Sequence, residues 1–425
     1  MKKKTLEFAL SFIFLLFCFF YFAAIPKMLF FPLAPKYFFA LIVILLLSYR
    51  LRFNDVLSLK NNTGPFIIYL VMVLVFAVIR SSVNGMVPPI EEIALLGMIY
   101  WFVNRQPERV ILMTRFIGIL AVLSSLWFIG NLLFPDHFIY LRAIIYGRNI
   151  DPNNPLTSIA LARPTGLTFN HHIMGYQMTA GIVIAGLLAM TEKNTRWKWF
   201  WRLSLLVVWT ATYFTAQRSV VLAVIVTILI FSLQKFSRMI PILLVYVLAT
   251  ASAYYINNIV PEGTETLLTR LDGKDIKARV GWQVTALEVI AENPLGLSIS
   301  EKTWEEEAVQ GGADFSLFGD EATAVHNSFL GAMLNYGWLG IALVMSIALY
   351  LIKNIRQVLR YNIENVPYIE CCKILAYVMV ALTVQAMFHN ASYLTNETVS
   401  CLVLGTFLVG ASMMRHGTMI DAKYL

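Results

Sequence analysis

The amino-acid sequence predicts an all-α polytopic membrane protein, with about twelve transmembrane helices and a large external loop between the ninth and the tenth. Three observations predict it. The first is composition. Of the 425 residues, 58% are hydrophobic and 14% charged, and the mean hydropathy is +0.69. A soluble domain carries about 25% charged residues. The second is run length. Many apolar runs reach the ~17–25 residues that a helix needs to cross a bilayer. They are continuous rather than alternating, which excludes a closed β-barrel. The third is the placement of basic residues in every second connection.

The elements follow in order. The opening "MKKKTLEFALSFIFLLFCFFYFAAIP" resembles a signal peptide, but its apolar run is long and no small-residue cleavage site follows, so it reads as an uncleaved first span. Spans are expected near 6–25, 37–49, 64–80, 89–104, 110–134, 173–191, 199–216, 219–234, 239–257, 328–352, 367–388 and 397–414. Lys2, Lys3 and Lys4 precede the first. Arg50, Arg52 and Lys60 follow the second, Arg105 and Arg109 the fourth, and Lys193, Arg196, Lys198 and Arg202 the sixth. Lys235 and Arg238 follow the eighth, Lys353, Arg356 and Arg360 the tenth, and Arg415 and Lys423 the twelfth. By the positive-inside rule these connections are cytoplasmic, and so are both termini.

The remaining connections face out, and two are long. Residues 1–257 hold spans one to nine and the loop 135–172. Residues 258–326 form the large loop. Residues 327–425 hold the last three spans and a cytoplasmic tail. From Glu262 to Glu321 the large loop has 13 Asp/Glu against 5 Lys/Arg. Loops of this length are functional or disordered. Within it, "DIKARVGWQVTALEVIAENPLG" has apolar residues at helical spacing, a proline stop and a glycine beyond, and predicts a helix over the membrane surface.

The net charge of +8 would suit nucleic acid, but the basic residues follow membrane topology instead, so no nucleic-acid partner is expected. Cys18, Cys371, Cys372 and Cys401 lie in or beside spans and imply neither a disulfide framework nor a zinc site. Glu305–Glu307 reads as a solvated face rather than a metal motif.

Four clusters at external span ends each hold a cation or a histidine. "ARPTGLTFNHHIMGYQ" contains Arg163, His171 and His172. Adjacent histidines cannot share one helical face, and an ordinary polar interface would account for this stretch as well. "TYFTAQRSVVLAVIV" sets Arg218 between two apolar runs. A charge there is costly unless paired or hydrated, and the plain alternative is a snorkelling arginine. "KDIKARVGWQVTALEVI" sets Arg279 at the head of the predicted loop helix, where a solvated basic face with Lys274 and Lys277 is the plain alternative. "AVHNSFLGAMLNYGWLG" sets His326 before Asn327 and Ser328, which are expected to cap the next span. Capping explains Asn327 better than it explains His326. Guanidinium forks match phosphate oxygens. A histidine can accept the proton of a hydroxyl nucleophile. Arginines and a histidine at external span ends therefore suit transfer from a lipid diphosphate without a metal. A transporter or flippase is the other class; it would place charged groups near span centres, where most of these spans have none.

The stretches "RPTGLTFNHHIMGY", "TAQRSVVLAV", "RVGWQVTALEVIAENPLGLS" and "HNSFLGAMLNYGWLG", in this order, resemble the O-antigen ligase/polymerase superfamily of bacterial inner-membrane glycosyltransferases. The resemblance implies an undecaprenyl diphosphate-linked glycan donor, a periplasmic active site, and no metal, cofactor or nucleotide sugar. By position, Arg218 and Arg279 match the diphosphate-binding arginines, with Arg163 a weaker match, and His326 matches the essential histidine. Asn327 and His172 are candidate supporting residues. Three reactions fit the superfamily. An O-antigen ligase uses a lipid A-core acceptor, a polymerase uses a lipid-linked repeat unit, and a protein O-oligosaccharyltransferase uses Ser or Thr. Little sequence after Met414 lowers the last, and one dominant external loop favours the ligase.

Overall fold

The computed structural model describes residues 2–23, 53–138 except 81, 105 and 136, 165–168, 171–235 except 216, 273–299, 303–311, 325–361 and 366–415, with single positions at 36, 38, 40, 42 and 141. The expected spans at 37–49 and 239–257 lie mostly or wholly outside these residues.

Helices begin where the sequence supplies a start. α1 (Lys2–Phe22) and α2 (Phe53–Ile79) precede α3 (Val83–Val103), whose N-cap Ser82 accepts a hydrogen bond from the Gly85 N–H. α4 (Pro107–Leu133) has proline at its first position, where a missing N–H costs nothing. α5 (His171–Thr191), α6 (Thr195–Thr215) and α7 (Arg218–Lys235) follow. Next come α8 (Gly273–Glu292), a 3-10 turn at Leu297–Ile299 and the short α9 (Trp304–Gln310). α10 (Ser328–Leu359), α11 (Pro367–Ala386) and α12 (Thr398–Arg415) complete the described elements.

Among the described residues, six helices are long and apolar enough to cross a membrane: those at Gly85–Val103, Pro107–Leu133, His172–Thr191, Ser328–Leu359, Pro367–Ala386 and Thr398–Arg415. Three shorter apolar helices, Ser11–Phe22, Thr63–Ile79 and Arg218–Ser232, join them. The protein is a multi-pass membrane protein, all-helical among the described residues. α5, α11 and α12 form the centre of the bundle, and Thr398–Met414 of α12 is buried throughout. α10 lies outside. Its Trp338, Met345, Leu349 and Ile352 are exposed along one side, the stripe expected to meet lipid. The four cysteines are free and buried.

A second, smaller core stands apart from the bundle core. Trp282, Ala286, Val289 and Ile290 fall on one face of α8, at the spacing predicted from the sequence. They pack with Leu297, Trp304, Ala308, Val325 and Leu334. Two glycines seat this unit on α10. Gly337 (φ 58, ψ −140) interrupts the α10 helix, and Gly296 (φ 79) closes the turn after α8. The Trp338 N–H donates to the Pro294 carbonyl at 3.0 Å. A Cβ on Gly337 would stand 2.2 Å from that carbonyl oxygen, and one on Gly296 would stand 2.4 Å from the Asn335 oxygen. "ENPLG" and "NYGWLG" are thus two halves of one close backbone contact.

Candidate active site at the His326 end of the bundle

The helix ends sort chemically. Arg109, Arg115, Lys193, Arg196, Lys198, Arg202, Lys353 and Arg356 occupy one end, where Arg115 pairs with Glu192 at 2.5 Å. His172, Arg218, His326 and the loop 387–397 occupy the other.

His326 immediately precedes α10. The Asn327 side chain accepts hydrogen bonds from the Phe329 and Leu330 N–H groups at 3.0 and 3.1 Å, so Asn327 is the N-cap. Ser328 does not share that task, contrary to expectation. Its hydroxyl donates to the Ala386 carbonyl at 3.2 Å and ties α10 to α11. His326 takes a left-handed backbone conformation, φ 53, which is uncommon for a residue with a side chain. Its ring lies nearly parallel to the Trp282 indole, with centroids 5.6 Å apart and planes at 22°. Trp282 is 1% exposed. The imidazole is therefore part of the packing between α8 and α10, and not the loosely held interfacial side chain that its place in the sequence suggests.

Arg218 is the first residue of α7, at the positive end of the helix dipole. It is partly buried. Beside it the Ser219 hydroxyl meets Nε2 of His389 at 2.6 Å. The His389 ring contacts His172 edge-on, with centroids 5.2 Å apart, and lies 6.2 Å from Tyr176. The Tyr176 hydroxyl donates to the Ala391 carbonyl.

The loop after α11 joins these parts. On one side His389 holds Ser219, next to Arg218. On the other the Gln283 amide of α8 reaches the Met387 carbonyl at 3.5 Å. Arg279 stands one turn before Gln283 in α8, and its side chain lies outside the described residues. Arg163 lies outside them altogether. Its motif continues in Thr165–Thr168, where the Leu167 N–H donates to Ser124 at 2.9 Å and a Cβ on Gly166 would strike the same hydroxyl at 2.0 Å. The structure thus brings Arg218, His326 and the α8 segment to one end of the bundle and sets the exposed His172 against His389.

His389 was missed from the sequence. The signal was there, a second His-Asn pair in "FHNASY" at a span end. The acidic run is also revised. Glu305 and Glu306 are exposed, and Glu306 closes a capping box with Thr303, whose backbone and hydroxyl hydrogen bonds hold the carboxyl below its ordinary value. Glu307 is buried instead of solvated. Glu397, at the head of α12, accepts from the Val399 and Ser400 N–H groups at 3.0 and 2.6 Å. Burial raises its carboxyl to about 7 despite those hydrogen bonds. Among the described residues no group of three His, Cys, Asp or Glu is placed to hold a metal ion.

The comparison with known families covers most of the candidate residues at this end. No curated protein matches the chain. Residues 203–345 match the family model described as O-antigen ligase. The match takes in Arg218, Arg279, His326 and Asn327, and leaves out Arg163, His172 and His389. The chain is a multi-pass membrane protein whose residues 203–345 are similar to the O-antigen ligase family, in keeping with the superfamily its motifs resemble.

Proposed function

We propose that the protein is a glycosyltransferase that moves O-antigen glycan from undecaprenyl diphosphate to lipid A-core. It works at the periplasmic face of the bacterial inner membrane and draws on no metal. One observation supports this above the rest: Arg218, the Arg279 helix and the His326 motif all attach to the end of α11 and the loop after it, through Ser219–His389, Gln283–Met387 and Ser328–Ala386.

In this reading the acceptor hydroxyl oxygen attacks the anomeric carbon of the donor. The bond from that carbon to the diphosphate oxygen breaks, and the diphosphate leaves with the electron pair. Arg218 and Arg279 neutralise the charge that develops on it, helped by the α7 N-terminus. His326 orients the hydroxyl and takes its proton. The stack on Trp282 holds the imidazole in one orientation, so little reordering is needed at the moment of transfer. Arg163 and His172 assist the donor side.

Glycan analysis of a deletion strain tests the reading. Loss of long-chain lipopolysaccharide while lipid-linked polymer accumulates supports ligation. Core carrying a single repeat assigns polymerisation instead. Unchanged lipopolysaccharide, with altered export of some other solute, rejects both.

A further inference from the structure

A cavity of about 410 Å³ lies beside the His326 motif, between α2, α3, the start of α10 and the loop 390–396. It is not formed by the arginine-bearing elements. Its size is that of a small-molecule site. One part of its wall is polar, with Asn327, Asn335, Asn390 and Asn396. Another is aromatic, with Tyr69, Tyr336 and Trp304. That mixture suits a sugar ring, whose hydroxyls need hydrogen-bond partners and whose C–H faces need apolar cover.

Glu92 is the unexpected member of the wall. It is 1% exposed and sits within the apolar α3. Its carboxyl interacts with the Cys401 thiol, and its Oε1 has no hydrogen-bond partner among the described residues. A buried carboxyl oxygen in that state is rare and asks for an explanation. The neighbouring Glu91 is, by contrast, fully engaged: Lys36 and Asn396 reach its Oε2 at 2.9 and 3.0 Å. Of the two non-glycine residues with positive φ among those described, Asn396 lines the cavity, and His326 stands between Val325 and Asn327, which also line it. Such strain gathers at ligand sites. Gly331, in the first turns of α10, lines it too, and a Cβ there would meet nothing within 4 Å.

We propose that this cavity binds a sugar residue, with Glu92 accepting hydrogen bonds from its hydroxyls and the Tyr336 side covering its apolar face. The proposal rests on the glycosyltransferase reading for the source of the sugar. That source is either the acceptor's core sugar or the donor's glycan, and the chemistry of recognition is shared. Asn327 in the wall places the sugar next to His326, where a hydroxyl to be activated belongs.

The test uses purified full-length protein with a polyprenyl diphosphate-linked glycan and a lipid A-core acceptor. Two variants are compared with wild type. Gly331→Leu narrows the cavity from a position where its Cβ meets nothing within 4 Å and improves helix propensity, and its folding is checked by thermal unfolding. Glu92→Gln keeps the shape and replaces one carboxyl oxygen with an amide nitrogen that cannot accept a hydrogen bond. Each is expected to raise one KM by about 10-fold with kcat little changed, as expected for lost substrate binding. A rise for the lipid A-core acceptor assigns the cavity to the acceptor, and a rise for the donor assigns it to the donor's glycan. Both KM values unchanged in both folded variants overturns the proposal. Thermal shift with lipid-free core oligosaccharide and with free O-antigen glycan gives a readout independent of turnover. A shift by either in wild type that Gly331→Leu abolishes, in a protein that transfers nothing, would sink the glycosyltransferase reading and leave the sugar site standing. No shift by either in a protein without turnover would remove both.

Discussion

Replacing Gly337 with alanine should detach the α8 unit from the bundle. Two costs add. Alanine at φ 58 takes on the strain of a left-handed backbone, roughly 1–2 kcal/mol. Its Cβ also meets the Pro294 carbonyl oxygen at 2.2 Å, so one backbone must move. Neither segment has a flexible side chain to give way, and overpacking of this kind costs about 1–3 kcal/mol. The shift also stretches the hydrogen bond from Trp338 to Pro294, worth about 1 kcal/mol. The total is about 3–6 kcal/mol, borne by the small core around Trp282. Gly331→Ala is the matched control. It is the same substitution in the same helix, but its Cβ meets open space, so it should stabilise by up to about 1 kcal/mol. Thermal unfolding in detergent reads the difference, and limited proteolysis around 293–311 locates it. Equal stability of Gly337→Ala and Gly331→Ala would refute the close contact. So would loss of stability without new cleavage in the α8–α9 segment.

His326→Asn keeps a residue that tolerates positive φ but removes the imidazole, so turnover should fall ~10²–10⁴-fold with expression intact; near wild-type turnover would take His326 out of the reaction. Arg218→Lys keeps the charge and loses the bidentate fork, so it should impair transfer, and Arg218→Ala more so, with kcat/KM for the lipid diphosphate as the readout. The raised Glu397 carboxyl favours the folded state when protonated. Its stabilising contribution is complete below the ordinary value of 4.5 and is lost as pH rises through about 7. Glu397→Gln should flatten that part of the unfolding temperature's pH dependence. A cysteine at the exposed position 306 should react with a membrane-impermeant reagent from the periplasm; a need for a permeabilised inner membrane would reverse the proposed orientation.

Much of this architecture is legible in local sequence. Apolar runs long enough to span a bilayer become helices because a backbone in lipid must satisfy its own hydrogen bonds. Pro107 and Pro367 mark starts, Asn327 a cap, and Pro294 with Gly296 a stop, since each acts through its own backbone. The stripe at Trp282, Ala286 and Val289 follows from helical period alone. What the tertiary structure decided lies between residues distant along the chain. His389 gains its place from Ser219, 170 positions away. His326 is oriented by Trp282 on another helix, and Gly337 is required by Pro294. Glu92 is one carboxyl group in an apolar run until α3 packs on α12 and buries it against Cys401, at the wall of a cavity made by five separate segments. Period and capping are set within a few residues. Orientation, burial and cavity shape are set by which faces meet, and that depends on the packing of the whole bundle.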